Sequence, residues 1–309
     1  MRSGGNRSVG RAFGMAQESI VDKAFLERLE RLTLRWRRSF PGTIGGHHVA
    51  RLSGVGLEFL DHRQFHHGDD LRGVNWRAFM RLEKLFLKVF HLEPHIPIRV
   101  MMDVSASMAV GNPSKFHYMQ RLVAALSYVG TLRLETIALL PFSDRIHEDF
   151  VVGGGRHRFA PAVEFLAARK PAGASMATQA VKQFADRYLQ RGLLIVVSDF
   201  FDEEDVLPLW QSLSLLGHEL FLIHLHAEED RTPPWKGLLE IEDAETGRVR
   251  EIQFDDAARA EYEQAFDNYA SALEQMAIRN GGRYAGISTA TPLDDALFSM
   301  LGQMQEIPA

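Results

Sequence analysis

The sequence predicts an α/β fold in which a doubly wound, mostly parallel sheet is covered by helices on both faces. From residue 98 onward, apolar runs that suit buried strands alternate with segments whose apolar residues recur at helical spacing. Two of these runs end directly in an aspartate, as expected where ligands bind beyond the carboxyl ends of parallel strands. Alternation of this kind favours a parallel sheet with helices on both sides.

The first 96 residues follow other patterns. We expect residues 1–38 to comprise a disordered, Gly- and Ser-rich start and a basic amphipathic helix over 20–38. Such a helix docks on its own domain, lies on a membrane surface or binds a partner, and docking is the favoured interpretation. Residues 39–96 predict a small β-rich module, with a short helix around 76–80 and a strand at 85–92.

Residues 97–309 carry the α/β pattern. Apolar runs bounded by turn residues predict strands at 98–103, 135–142, 146–152, 192–198, 219–225 and 281–284. Apolar residues at helical spacing predict helices at about 115–132, 159–169, 176–190, 205–216, 256–279 and 292–303. Residues 238–242 and 249–254 alternate in period two around Glu245-Thr246-Gly247, which predicts a hairpin insertion near 235–254.

Composition narrows the class of protein. With 46% hydrophobic and 24% charged residues, the 309-residue chain is typical of a globular protein with a substantial core. Its formal net charge of -5 gives no reason to expect nucleic acid as the main partner. The absence of cysteine excludes disulfides and thiolate metal sites. No apolar run approaches the roughly 20 residues of a membrane span, and residues 1–14 lack a signal peptide's apolar core, so we expect a cytoplasmic protein.

Three loops of the α/β region offer oxygen ligands for a divalent cation. Asp103-x-Ser105-x-Ser107 follows the first strand, Ser175 lies in the turn before a helix, and Asp199 follows the strand at 192–198. Because the carboxyl ends of parallel strands share one edge of a sheet, loops distant in sequence can converge there. Magnesium takes few carboxylates together with other oxygen ligands and water, so these residues predict a Mg²⁺ or Mn²⁺ site. The alternative is that Asp103 caps the next helix and the serines fill the turn.

This arrangement resembles the metal-ion-dependent adhesion site of the von Willebrand factor A domain, and the resemblance covers roughly residues 97–301. Asp103-x-Ser105-x-Ser107 matches the first motif of that family, and Ser198-Asp199 matches its third-loop aspartate. Ser175 stands where the family usually has threonine; it keeps the hydroxyl, and Thr178 is the fallback ligand. The resemblance implies a Rossmann-like sheet and a metal-dependent interaction module.

Motifs outside these loops resemble the bacterial domain-of-unknown-function-58 (DUF58) family. They are Gly56-x-Glu58-Phe59, Arg63-x-Phe65, Gly68-Asp69-Asp70-x-Arg72, Asn75-Trp76, Asp243-x-Glu245-Thr246-Gly247, and Ser288-Thr289 before Pro292-Leu293. The family commonly has an aspartate where Asn75 stands, and its members often carry N-terminal membrane helices, which are absent here. By resemblance, such proteins are associated with MoxR-type AAA+ ATPases and act in chaperone-like maturation or assembly of other proteins.

The resulting hypothesis is a non-enzymatic, metal-dependent protein-protein interaction module. A cation held mainly by hydroxyls and water keeps positive charge, so a partner protein that supplies an acidic residue would complete its coordination. The expected partner is a MoxR-type AAA+ ATPase, with peripheral membrane contact through the N-terminal helix as a further option. The competing interpretation is a structural scaffold whose degenerate site binds no metal.

Other kinds of site are disfavoured by the residues themselves. An Asp-based phosphohydrolase needs a second carboxylate two residues after the first, and that place is Ser105. The run Gly153-Gly154-Gly155 lacks the Lys-Ser/Thr of a phosphate-binding loop, and no Gly-x-Ser-x-Gly motif indicates a catalytic triad. His47, His48, His62, His66 and His67 lack the paired spacing of structural zinc sites, so a polar loop is favoured there. His224 and His226 are expected in the core or at a strand edge.

Overall fold

The computed structural model describes residues 20–22, 24–31, 58–66, 69–91, 97–132, 136–153, 155–201 and 206–303. The strands are β1 (Glu58–Gln64), β2 (Phe86–His91), β3 (Ile98–Asp103), β4 (Ile137–Phe142), β5 (Phe150–Val152), β6 (Leu193–Ser198), β7 (Glu219–His226), β8 (Gly237–Glu242), β9 (Val249–Phe254) and β10 (Arg283–Ser288). The helices are α1 (24–31), α2 (Trp76–Leu82), α3 (Lys115–Leu132), α4 (Phe159–Ala167), α5 (Ala177–Arg187), α6 (Val206–Ser214), α7 (Glu228–Arg231), α8 (Asp256–Arg279) and α9 (Leu293–Gln303).

The centre of the molecule is a sheet whose strands follow the spatial order β10-β7-β6-β3-β4-β5 within the described part of the chain. Neighbouring strands run parallel from β10 to β4, and β5 pairs antiparallel with β4 at one edge. The predicted α/β class with a doubly wound, mostly parallel sheet is therefore confirmed. Since β3 and β6 are adjacent and parallel, the chain leaves both strands at the same edge of the sheet.

Apolar residues cover both faces of the sheet. Val100 and Met102 belong to the cluster shared with helices α1, α3, α4 and α9, whereas Met101 belongs to the cluster shared with α5, α6 and α8. This division follows from the pleat of a strand, which points successive side chains to opposite faces. A strand that is covered by helices on both faces needs apolar residues at successive positions, and Leu193–Ser198 has such a run.

Helix α1 docks on this core, as the favoured interpretation of the sequence proposed. The backbone N–H of Phe25 donates to Asp22 Oδ1 at 2.5 Å, so Asp22 caps the start of the helix. Phe25 and Leu29 are each 1% exposed and lie in the same cluster as α3 and α9. Burial of side chains of this size contributes roughly 1.5–3 kcal/mol each. Membrane contact through this helix stays a prediction, and residues 32–38 lie outside the described residues.

The remaining strands form two antiparallel ribbons. Strand β1 pairs with β2, and Val74 forms an isolated bridge with Leu87, within the region predicted as a β-rich module. Asn75 caps α2 by accepting a hydrogen bond from the backbone of Ala78 at 3.3 Å. Strands β8 and β9 pair as the predicted hairpin, in register from Gly237–Phe254 to Glu242–Val249. No helix among the described residues is both long and apolar enough to cross a membrane.

Two strand predictions were wrong in their limits. A strand was expected at 281–284, but β10 begins at Arg283 and continues to Ser288, because Gly281, with φ 71°, still belongs to the turn after α8. An edge strand was expected at 146–152, but β5 spans three residues only. Ile146 forms an isolated bridge with Phe142, and its backbone N–H donates to the side chain of Gln183 at 3.0 Å, so continuous strand pairing does not begin there.

Candidate metal centre

The sheet edge brings the predicted ligands together. Asp103 is the last residue of β3, and Asp199 follows the last residue of β6, the strand beside it. Ser175 lies in the loop before α5 and reaches the same edge from 72 residues away, since its hydroxyl hydrogen-bonds to Asp103. Asp103 and Asp199 are fully buried, and Ser175 is 5% exposed. All three loops identified from the sequence therefore meet at one point.

Asp103 is the residue on which these loops converge. Its Oδ1 accepts the backbone N–H of Ser105 at 2.8 Å, and its Oδ2 accepts the hydroxyls of Ser198 at 2.5 Å and Ser175 at 3.2 Å. The hydroxyl oxygens of Ser105 and Ser107 lie 3.0 Å apart. The alternative, in which Asp103 only caps the next helix, explains the hydrogen bond from the Ser105 backbone. It does not explain the bonds from the Ser175 and Ser198 hydroxyls, which lie 72 and 95 residues further along the chain.

Asp199 forms a buried ion pair. The Lys115 ammonium, at the start of α3, donates to Asp199 Oδ2 at 2.8 Å and lies 3.0 Å from Asp230 Oδ2. The Lys115 side chain is 2% exposed, that of Asp199 0% and that of Asp230 14%. Burial alone would lower the pKa of the Lys115 ammonium, but Asp199 and Asp230 outweigh it and raise that pKa. Lys115 therefore remains charged in the folded protein.

Among the described residues, the carboxyl groups of Asp103, Asp199 and Asp230 outnumber the ammonium group of Lys115 in this cluster. Burial, and then the charge of Asp199, raise the pKa of the Asp103 carboxyl, although hydrogen bonds from Ser105 and Ser198 act in the opposite direction. Both effects disfavour a second buried anion beside the first. Lys115 neutralises part of this charge through Asp199, but it makes no hydrogen bond to Asp103 among the contacts of the described residues. A cation near Asp103 would relieve the remaining repulsion.

A further carboxylate reaches the cluster from the β8–β9 hairpin. Glu245 Oε2 accepts the backbone N–H of Ser175 at 3.1 Å. Its Oε1 is shielded from solvent and makes no close hydrogen bond, although the Ser107 and Ser105 hydroxyls face the carboxyl. Burial raises the pKa of the Glu245 carboxyl, and the charge of Asp199 adds to this, while the Ser175 N–H and the hydroxyls of Ser107 and Ser105 act against it. Glu245 thus faces the serine hydroxyls of the first motif.

These residues fit a divalent cation. Hydroxyl and carboxylate oxygens are the ligands that magnesium and manganese take. Thr178, the fallback ligand, is 7% exposed, and its hydroxyl oxygen is buried without a hydrogen-bond partner among the described residues. Asp103, Ser105, Ser107, Ser175 and Asp199 would hold the ion. A bound cation would neutralise the buried carboxylates and attract one further anionic oxygen.

Comparisons with known proteins agree with the sequence motifs. The family described as Protein of unknown function DUF58 matches residues 61–271. The chain belongs to the DUF58 family. It is 23% identical over 259 residues to Uncharacterized protein Rv1480 of Mycobacterium tuberculosis. The aligned region covers 81% of this chain and 80% of that relative.

Solved structures similar to the DUF58 chain include a conserved hypothetical protein and a von Willebrand factor type A protein. Conserved hypothetical protein BatB from Bacteroides thetaiotaomicron is 15% identical, with a TM-score of 0.42. The aligned region covers 69% of this chain and 100% of the BatB chain. A von Willebrand factor type A protein from Catenulispora acidiphila is 12% identical, with a TM-score of 0.44. The aligned region covers 70% of this chain and 44% of that protein.

Sequence reasoning about the DUF58 chain missed three contributors to the centre: Lys115, Glu245 and the Ser198 hydroxyl. A lysine as the first residue of a helix opposes the helix dipole, and this is a sequence-level sign that Lys115 serves another purpose. Nothing in the hairpin pattern indicated where Glu245 would lie, because the alternation specifies pairing within the hairpin only. Ser198 precedes Asp199 and was seen as part of a motif, not as a hydrogen-bond donor.

The histidines of the described residues form no metal site. Among the described residues, no group of three or more His, Cys, Asp or Glu side chains is placed to hold a metal, so the candidate centre depends on serine hydroxyls beside its carboxylates. In the histidine-rich segment, Asp69 forms a bidentate pair with Arg63 at 2.9 and 2.8 Å; residues 47, 48 and 67 lie outside the described part. His224 is fully buried in β7 and bonds to the Tyr284 hydroxyl at 2.8 Å, so the core position expected for it is confirmed.

Proposed function

We propose that the protein is a non-enzymatic, metal-dependent protein-protein interaction module. Mg²⁺ or Mn²⁺ binds at the centre formed by Asp103, Ser105, Ser107, Ser175 and Asp199, and a carboxylate from a partner protein completes the coordination. The observation that carries the proposal is the convergence on Asp103 of the Ser175 and Ser198 hydroxyls, which lie 72 and 95 residues further along the chain.

The chemistry of the centre supports recognition rather than catalysis. Both oxygens of Asp103 accept hydrogen bonds from the chain, which lowers its capacity as a nucleophile. Ser105 stands where an Asp-based phosphohydrolase would need its acid/base carboxylate. A cation held partly by neutral hydroxyls retains net charge, so it prefers an anionic oxygen as its last ligand. Acidic side chains of a partner supply such an oxygen.

A MoxR-type AAA+ ATPase is the proposed partner, and assembly or maturation of other proteins is the proposed role. Membership in the DUF58 family supports this proposal through the association that the motif resemblance implies. The test is a pull-down between the purified protein and such an ATPase, with Mg²⁺ and with chelator. Loss of the complex in chelator supports the proposal, and a complex that ignores chelator contradicts it.

Metal binding itself is tested by calorimetric titration of Mg²⁺ and Mn²⁺ into the intact chain and into Asp103→Ala. Saturable binding to the intact chain that is lost in the variant supports the centre. Asp186→Ala is the matched control, because Asp186 is exposed on α5 and outside the cluster. Circular dichroism verifies that each variant is folded. A chain without saturable binding of either metal would contradict the proposal.

A metal-free scaffold is the second candidate, and Lys115 is the observation that favours it. Its ammonium already supplies a buried cation 2.8 Å from Asp199. In that case Lys115 replaces the metal, and the intact chain binds no divalent cation while partner binding is insensitive to chelator. The calorimetric titration separates the two candidates directly.

A further inference from the structure

The turn of the β8–β9 hairpin is built to hold Glu245 in one position. Asp243 Oδ1 accepts the backbone N–H groups of Glu245 and Thr246 at 2.8 and 2.9 Å. The backbone N–H of Gly247, whose φ is 67°, donates to the Asp243 carbonyl oxygen at 2.9 Å. Glycine adopts this left-handed conformation without steric cost. The turn therefore presents Glu245 on a defined backbone and not on a loose loop.

Glu245 differs from the other acidic side chains of its hairpin. Glu240, Glu242 and Glu251 are exposed, as expected for a ribbon at the surface. Glu245 instead contacts the backbone of Ser175, a predicted ligand, and keeps Oε1 shielded from solvent without a close hydrogen bond, although the Ser107 and Ser105 hydroxyls face the carboxyl. An unpaired carboxylate oxygen withdrawn from water costs free energy unless a cation or donor meets it. The position next to Asp199 makes this cost larger, because the two charges repel.

We propose that Glu245 is an additional ligand of the bound cation, supplied by the chain itself. This inference rests on the proposed metal centre. Glu245 then occupies the position that an acidic residue of a partner would take, so a partner carboxylate has to displace the hairpin to bind the metal. The hairpin insertion thereby keeps the centre closed until such a partner competes with it.

Calorimetric titration of Mn²⁺ into the intact chain, Glu245→Gln and Glu242→Gln tests the inference. Glutamine keeps the size and the hydrogen bond from Ser175 but removes the charge, so we expect Mn²⁺ affinity to fall about 10-fold or more, in the range of lost metal-site groups. Glu242→Gln removes the same charge from an exposed position and should bind as the intact chain does. Equal affinity of the intact chain and Glu245→Gln would overturn the inference while leaving the metal centre intact.

The other outcomes separate the inference from the proposed function. If the intact chain binds no Mn²⁺, the metal centre and the role of Glu245 both fail. A second readout follows the hairpin itself: trypsin cleavage at the exposed Arg248 and Arg250 should slow when Mn²⁺ is added to the intact chain. In Glu245→Gln the metal should leave this cleavage rate unchanged. Metal-dependent protection of the variant equal to that of the intact chain would overturn the inference.

Discussion

Replacing Lys115 with methionine separates the stability that the Lys115 ammonium contributes from the stability that a bound metal contributes. Methionine keeps most of the apolar stem but leaves Asp199 and Asp230 without the ammonium that lies 2.8 and 3.0 Å from them. Removing one member of a buried ion pair costs about 3–5 kcal/mol, because the remaining charge stays buried and unpaired. Since Asp230 retains 14% exposure, we expect the free energy of unfolding to fall by about 3 kcal/mol in chelator.

Urea unfolding at neutral pH, followed by far-ultraviolet circular dichroism, measures this loss. Lys182→Met is the control: Lys182 is exposed on α5, and its replacement should change stability by about 0.5 kcal/mol or less. Mn²⁺ at about 100 times its dissociation constant should stabilise any binding-competent chain by about 2.7 kcal/mol. At a fixed Mn²⁺ concentration we expect a larger increment in Lys115→Met, because the metal then has sole use of Asp199.

Two results would refute this reasoning. A loss of less than about 1 kcal/mol in chelator would show that the buried ion pair contributes little more than an exposed pair does. A metal increment in Lys115→Met equal to that of the intact chain would show that the ammonium and the metal do not share Asp199. Absence of any increment in both chains would favour the metal-free scaffold.

Two further predictions concern the support of the centre and the effect of acid. Ser198→Ala removes the hydroxyl that donates to Asp103 at 2.5 Å, so we expect a loss of about 1–3 kcal/mol in urea unfolding, against a small change for the exposed Ser214→Ala. Burial, followed by the positive charges of His226 and Lys115, lowers the pKa of His224 from 6.5 to about 3. The unfolded chain therefore binds this proton first, and stability is lost as pH falls from 6.5 towards 3, by up to about 1.4 kcal/mol per pH unit. In His224→Phe the decline measured between these pH values should be shallower; an identical decline would contradict the assignment.

Features encoded by local pattern could be predicted from the sequence. The apolar runs that end at Asp103 and Asp199 fixed the positions of β3 and β6, and the parallel arrangement then placed both carboxylates at one edge. Ser175 could be included because a turn before a helix at that edge is also local information. The hairpin pairing followed from alternation around its turn. These predictions needed no knowledge of how distant segments pack.

Features that depend on long-range packing could not be predicted. Glu245 lies 70 residues from Ser175, and no periodicity in the sequence connects them. The sequence pattern predicts Lys115 as the first residue of an amphipathic helix. Only the fold shows that its side chain contacts Asp199, 84 residues away. The limits of β10 were misjudged for a related reason, since its pairing with β7, and not its own apolar content, extends the strand to Ser288.

The docking of helix α1 has a consequence for how the chain can be divided. Phe25 and Leu29 belong to the same core as the sheet that begins at Ile98, so one hydrophobic core draws on residues from both sides of the β1–β2 ribbon. A truncated chain that starts at Pro97 would expose the surface these side chains cover and would lose roughly 1.5–3 kcal/mol for each. The β1–β2 ribbon thus lies, in sequence, between helix α1 and the sheet whose core that helix helps to form. Shortened versions of the protein should therefore retain Ile20, Phe25 and Leu29 together with the sheet.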